Sequence, residues 1–206
     1  MNAHINHNPR AWNQGKLIGQ KPPLKRRQVW GIRIRLQIAQ KARDLALFNL
    51  ALDSKLRGCD LLALRLGDVQ NGQEVRRRAK VIQKKTGKPV QFEISQPTRE
   101  AIRDWRDKAN LELRDLLFPS RVTPAKPISG RQYSRLVDCW VSSIGLPASS
   151  YGTHSLRRTK ASLIYKKSGN LRAIQLLLGH TKIDSTVRYL GVEVDDALRL
   201  AESVDL

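Results

Sequence analysis

Over residues 29–56 the apolar positions Ile32, Leu36, Leu45, Phe48 and Leu52 recur at helical-turn spacings, so the pattern predicts helix there. Gly58 and Cys59 interrupt it. A short second helix is expected over residues 61–66, with Asp60 placed to cap its start and Gly67 to end it. Between residues 69 and 95 the helical period fades. Val75, Ala79 and Val81, then Val90, Phe92 and Ile94, alternate with polar residues, and Thr86-Gly87-Lys88-Pro89 supplies a turn. Helical patterns resume over 98–110, 130–143 and 153–167, and in shorter stretches over 171–178, 185–190 and 194–203. Thr98 is placed to cap the first of these, with Ala101, Ile102 and Trp105 as its apolar stripe. No internal repeat or low-complexity segment breaks the series. The expected fold class is mostly α with a small antiparallel β-sheet, the sheet forming a hairpin insertion at about residues 69–95.

Composition then narrows the partner. Of 206 residues 40% are hydrophobic, enough for a core, yet Lys and Arg outnumber Asp and Glu by 38 to 18, a net charge of +20. Internal pairing cannot absorb that surplus, so most of it faces solvent or a polyanion. Nucleic acid is the default, because neutralised phosphates release counterions. A ribosome-associated or merely basic protein fits the charge equally well. The first 36 residues hold eight Lys or Arg and no acid. Residues 1–28 read as a flexible basic arm, with Lys25, Arg26 and Arg27 after Pro22-Pro23 as DNA-backbone contacts or as a solvated tail. His4 and His7 read as tail residues. Cys59 and Cys139 lack metal-ligand spacing and are expected to be reduced and buried. No apolar run approaches the ~20 residues that span a bilayer, so a cytoplasmic protein without membrane contact is expected.

Five segments carry candidate chemistry. Arg57 precedes the short apolar run 61–66. Lys84 and Lys85, with Lys88, sit at the hairpin tip, where a lysine can enter a minor groove and reach a leaving group. His154 and Arg157, three residues apart, share a helix face. There a guanidinium fork and an imidazole converge in a first turn, with Thr153 placed as its cap, which also favours an anion. Gly179 ends an apolar helix and leaves His180 fixed just beyond it. Tyr189 lies nine residues further on, in a short helix. Taken singly, each of these is ordinary: a surface charge, a basic turn, a capping His, a half-buried Tyr.

Taken in order, they resemble the tyrosine recombinase (phage integrase) family, whose signature runs Arg, hairpin Lys, His-x-x-Arg, Leu-Gly-His and then Tyr. The matching positions are Arg57, Lys85, His154, Arg157, His180 and Tyr189, and the resemblance covers about residue 29 to the C-terminus. Lys85 is selected over Lys84 by the family's Lys-Thr-Gly pattern. Asp60 stands where the family commonly has an acid supporting the first Arg. Lys55 stands where it often has Gly, two residues before that Arg.

The resemblance implies a tyrosine recombinase-like catalytic domain over residues 29–190. It implies a site-specific recombinase that cleaves and rejoins double-stranded DNA through a 3′-phosphotyrosyl link, in integration, excision or inversion. Tyr189 would attack, Arg57 and Arg157 would clamp the phosphate, and His154 would take the tyrosine proton or hold the hydroxyl in line. His180 would donate to the phosphate and Lys85 would protonate the leaving 5′-oxygen. A tyrosine pKa of about 10 makes the hydroxyl a weak nucleophile at neutral pH, and the surrounding cations are expected to favour the phenolate. No cofactor or metal is expected, since the covalent link stores the bond energy.

Relatives usually carry a further N-terminal helical domain, whereas here only the basic arm is expected before the catalytic region, as in the small fimbrial phase-variation recombinases. The partners implied are DNA, further copies of the chain in a tetramer, and an accessory DNA-bending protein. Residues 191–206 hold five acids against one Arg and an apolar stripe of Val194, Ala197, Leu198, Ala201 and Val204. They are expected to form a helix that docks on its own domain or on a neighbour. Two other readings remain: type IB topoisomerase-like strand relaxation, and a non-catalytic DNA-binding regulator.

Overall fold

The computed structural model describes residues 20–191 and Glu202. Nine α-helices among these residues surround two small antiparallel sheets, in agreement with the expected fold class. Helix α2 (Ala42–Ser54) is the centre: every residue but Leu45 is buried. Around it pack α1 (Arg26–Ile38), α5 (Gln96–Ala109) and α7 (Thr153–Ser168). Phe48 of α2 meets Trp140 of α6 (Gly130–Ser142) edge-on at 5.5 Å, and Trp140 in turn meets Tyr133 at 6.4 Å. These contacts bury aromatic area in geometries that rings prefer.

The helical pattern over 29–56 is two helices. Gln40 takes a left-handed conformation (φ 51°), and Lys41 N–H donates to the Leu36 carbonyl, closing α1. Arg26 and Arg27, expected in the arm, lie in the first turn of α1. The remainder of the arm before residue 20, with His4 and His7, is outside the described residues, as is the helix expected over 194–203.

Several local expectations are corrected. The helix expected over 61–66 is α3 (Gly58–Leu62), whose N-cap is Arg57 and whose first turn contains Asp60. Gly67 does not end it but sits in a separate turn of helix, α4 (Leu66–Val69). There a Cβ would stand 2.9 Å from the Leu113 carbonyl oxygen, which accepts the Gly67 N–H at 2.8 Å. Ser95, not Thr98, is the N-cap of α5, because the Thr98 hydroxyl is engaged by Asp53. Gly152, not Thr153, is the N-cap of α7. Cys59 and Cys139 are free but exposed rather than buried.

The sheet prediction resolves into two hairpins. β1 (Gln70–Asn71) pairs with β2 (Glu74–Val75), and β3 (Arg78–Ile82) pairs with β4 (Pro89–Glu93). Ala79 faces Phe92 and Val81 faces Val90, so the alternating apolar positions meet across one face. Helices α8 (Leu171–Leu178) and α9 (Ile183–Leu190) complete the chain's described part, Asn170 capping α8 by accepting the Ala173 N–H. Gly179 ends α8 in the left-handed region (φ 66°), where a Cβ would lie 2.5 Å from Val90 of the hairpin. That close approach brings the end of α8 against β4.

Candidate active site

Three elements that meet at the hairpin carry most of the candidate residues. Arg57, half-buried before α3, donates to Gln83 Oε1 at 2.8 Å. Arg157, buried on α7, donates to the Leu178 carbonyl at the end of α8, at 2.9 Å. Gln83 Nε2 donates to that same carbonyl at 3.2 Å. Both guanidinium groups are thus held from behind by neutral oxygens, leaving their positive charge uncompensated by these contacts.

Tyr189 lies over this surface. The Arg157 and Arg158 guanidinium carbons sit 5.6 and 5.5 Å from its ring centroid, and the His180 ring meets it edge-on at 5.4 Å. Such cation–ring contacts favour the negative face of the ring. Its hydroxyl oxygen is buried and, like Arg157 Nε and Arg158 Nε, has no hydrogen-bond partner among the described residues. A cavity of about 490 Å³ opens beside it, lined among others by Lys21, His154, Arg158 and Tyr189. Buried polar atoms left unanswered around a cationic cavity are costly unless another group meets them.

Burial raises the Tyr189 pKa to about 12, although Arg157, Arg158 and Arg57 all pull it down. The expectation that the surrounding cations favour the phenolate is corrected: in the protein alone, desolvation wins and the hydroxyl keeps its proton. His180 goes the other way, down to about 4, through burial and the nearby Arg157 and Arg57. It is neutral at pH 7. Its Nδ1 lies 3.1 Å from the hydroxyl of Thr186, which is fully buried on α9. With that hydroxyl donating, the ring proton sits on Nε2, ready to be donated. His154 is exposed at the start of α7, and its pKa is likewise lowered by burial of its ring and by Arg157, Arg57 and Arg158. It is a neutral base at neutral pH.

The lysines are placed differently. Lys84 and Lys85 are exposed on the turn between β3 and β4, and Lys88 is exposed where β4 begins. The structure does not bring the Lys85 ammonium into a hydrogen bond with any described residue; it fixes the turn instead. Lys84 N–H donates to Asp60 Oδ1 at 2.9 Å, and the Thr86 hydroxyl donates to Gln83 Oε1 at 3.0 Å. Asp60 therefore braces the hairpin with its carboxylate, while its backbone N–H donates to the Arg57 carbonyl at 3.0 Å. Lys25, Arg26 and Arg27 are exposed at the start of α1, away from any acid in that turn. Among the described residues no group of three or more His, Cys, Asp or Glu is arranged to hold a metal ion. No described helix is long and apolar enough to cross a membrane.

Sequence reasoning missed Arg158, Gln83 and Thr186. Arg158 gave one signal, its place next to Arg157. The segment ahead of α1 was missed too: Gln20 Nε2 donates to the Arg188 carbonyl at 2.7 Å, and Arg158 donates to the Lys21 carbonyl at 2.8 Å. The chain entering α1 thus straps α7 and α9 together beside Tyr189.

Also unforeseen was a second charged cluster behind the Arg57 loop. Lys55, left-handed at φ 54° and fully buried, donates to both Glu93 carboxylate oxygens at 3.0 Å and to the Asp53 carbonyl at 2.5 Å. Lys160 of α7 donates to Asp53 at 2.5 Å and pairs with Glu93 at 2.6 Å. Asp53 Oδ2 accepts from Ser95 N–H and from the Ser95 and Thr98 hydroxyls. Lys55, standing where the family often has Gly, therefore locks the loop ahead of Arg57.

Comparison with known proteins places the chain in a family. Residues 24–195 match the model of the phage integrase family. The chain is 30% identical over 162 residues to the "Probable integrase/recombinase YoeC" of Bacillus subtilis, covering 79% of this chain and 84% of that one. It is 31% identical over 153 residues to the tyrosine recombinase XerC of Chromobacterium violaceum, covering 74% of this chain and 49% of that one, so it spans about half of that relative's length. Among solved structures, XerA recombinase superposes with a TM-score of 0.73 at 18% identity, over 89% of this chain and 66% of that one. A post-cleavage complex of XerH bound to its palindromic difH substrate superposes with a TM-score of 0.69 at 20% identity, over 89% and 52%. At these identities the structural likeness is one of fold.

Proposed function

Because the chain belongs to the phage integrase family, we propose that it is a site-specific DNA recombinase of the tyrosine type, with Tyr189 as its nucleophile. The observation that carries this reading is the buried Tyr189 hydroxyl, set beside Arg157, Arg158 and His180 at a cationic cavity that His154 also lines.

A phosphodiester resists attack because its negative charge repels nucleophiles. Arg57 and Arg157 answer that charge by hydrogen-bonding the two non-bridging oxygens, and they gain most in the transition state, where the charge on those oxygens grows. Since burial holds Tyr189 protonated, its proton leaves as the oxygen–phosphorus bond forms, with neutral His154 as acceptor. His180 donates from Nε2 to the phosphate. The phosphorus–5′-oxygen bond breaks, and Lys85 supplies the proton that the 5′-hydroxyl needs. The 3′-phosphotyrosyl link keeps the bond energy until a second strand's 5′-hydroxyl attacks it and returns the tyrosine. Lys25, Arg26, Arg27, Lys84 and Lys88 contribute backbone contacts to double-stranded DNA, strengthened by release of counterions. Strand exchange needs two duplexes and four nucleophiles, so the working form is a tetramer on DNA.

The test is a nicked suicide duplex carrying a core site selected by this protein from a random-sequence pool. The wild-type chain should form a covalent adduct at Tyr189, located by peptide mapping. Tyr189→Phe should form none while binding DNA nearly as well. An adduct on the Phe variant, or site-independent relaxation of supercoiled DNA without strand exchange, would sink the recombinase reading.

A further inference from the structure

Gln83 hydrogen-bonds the first arginine, the lysine turn and the end of α8 at once. Its side chain is 1% exposed. A buried carboxamide must find partners for an oxygen and for an NH₂ group, and here the partners fix which end is which. Arg57 can only donate, so the atom 2.8 Å from its NH1 is the oxygen. The same oxygen accepts the Thr86 hydroxyl at 3.0 Å, and the NH₂ group donates to the Leu178 carbonyl at 3.2 Å. The backbone of Gln83 closes the turn as well, its N–H donating to the Lys88 carbonyl and its carbonyl accepting the Gly87 N–H. Leu178's carbonyl is also the anchor of Arg157. Above it, a Cβ on Gly179 would come within 3.0 Å of Gln83 Oε1, so the turn leading to His180 lies directly against the carboxamide.

We propose that Gln83 is a positioning residue that couples the phosphate clamp to the leaving-group lysine, by holding the Arg57 guanidinium and the Lys85 turn in one fixed relation. The inference rests on the recombinase reading. Arg57 and Lys85 are contributed by separate elements, and each has its own freedom: a long side chain in one case and an exposed hairpin tip in the other. Without Gln83 the two must find their positions independently, and the reaction needs both in the same encounter. The carboxamide removes that independence before DNA arrives.

The experiment compares two leaving groups. Single-turnover cleavage is measured on the suicide duplex with the natural 5′-oxygen, and on one with sulfur at that bridging position, where the thiolate leaves without a proton. Lys85→Ala sets the reference, since it should be slow on oxygen and restored on sulfur. Gln83→Met keeps the volume and removes every side-chain hydrogen bond. It should slow the oxygen substrate by about 100-fold, and sulfur should return only part of that, because Arg57 remains misplaced. In an Arg57→Ala background, the same substitution should cost less than about threefold on sulfur, as expected for residues acting through one another.

Gln83→Met rates within about threefold of wild type on both substrates would overturn the coupling, as would an unchanged cost in the Arg57→Ala background. Should Gln83→Met lose its helical circular dichroism, Thr86→Val decides instead. It frees the turn but leaves the Arg57 contact, so its loss should appear on oxygen and vanish on sulfur. No loss, or equal loss on both, would overturn the coupling. Failure of the wild-type chain to cleave either duplex overturns the recombinase reading and the coupling with it, whereas wild-type cleavage with indifferent Gln83 variants overturns the coupling alone.

Discussion

Two charge clusters draw on neighbouring positions around residues 53–57 and along α7, and follow opposite rules. In one, Lys55 and Lys160 meet Asp53 and Glu93, two cations with two carboxylates, and hydroxyls and N–H groups take the remaining lone pairs of Asp53. In the other, Arg57, Arg157 and Arg158 gather around Tyr189 and two histidines, with Asp60 as the acid that acts on Arg157, one of its oxygens bound to the hairpin and the other buried without a partner among the described residues. Lys55 is two residues from Arg57 and Lys160 three from Arg157, so both clusters come from the same stretches of chain. The closed cluster balances its own charge because it holds the scaffold. The open one leaves its charge unbalanced, with polar atoms unanswered, which is what the proposed phosphate clamp requires.

Removing a member should therefore do different things in each. Arg157→Ala should lower cleavage by about 10²–10³-fold or more while the unfolding free energy changes by no more than about 1.5 kcal/mol. Cleavage near the wild-type rate, or a protein that no longer folds, would erase the distinction. Asp53→Ala should cost about 3–5 kcal/mol in urea unfolding, since it leaves Lys160 and two hydroxyls facing an empty site. A loss under about 1 kcal/mol would mean the closed cluster is not structural.

The pH dependence of stability separates them further. Against burial, Lys160 with the Ser95 and Thr98 hydrogen bonds holds the Asp53 carboxyl below its ordinary range, and Lys55 with Lys160 does the same for Glu93. Their contribution is complete above the unfolded carboxylate values, near about 4, and is lost as pH falls through the lower folded values. Lys160 is shifted upward by Asp53 and Glu93, so its contribution is complete below the unfolded lysine value and lost as pH rises through the folded one. Asp53→Asn should flatten the acid limb of a urea-unfolding profile, and an unchanged limb would refute the assignment. The smallest effect belongs to the hairpin rim. Lys84→Ala and Lys88→Ala should each reduce the slope of log binding constant against log salt by about 1, without altering site preference. An unchanged slope would take that lysine off the DNA.

The open cluster was legible in the sequence and the closed one was not. Arg57, His154, Arg157, His180 and Tyr189 stood out because their order and spacing carry chemistry. Periodicity found the helices and the hairpin for the same local reason, since apolar stripes repeat within each element. The closed cluster depends on distance along the chain: Lys160 is 107 residues from Asp53, and Glu93 is 38 from Lys55. Gln83 was invisible likewise, its contact with Leu178 spanning 95 residues. Left-handed Gln40 and Lys55 escaped because neither is the Gly or Asn that usually marks such a position. The Tyr189 pKa was misread because spacing reveals which cations are near but not how deeply a hydroxyl is buried.

Lys55 also ties its own replacement to that of a residue on another element. A left-handed backbone favours glycine, so exchanging Lys55 for glycine would relieve roughly 1–2 kcal/mol of local strain. The same exchange would leave the two carboxylates of Asp53 and Glu93 sharing Lys160 as their one cation in the cluster. Changing Glu93 first would bury the Lys55 ammonium without an acid. The loop ahead of Arg57 and strand β4 thus behave as one unit for substitution: only a double exchange at Lys55 and Glu93 removes a cation and an acid together.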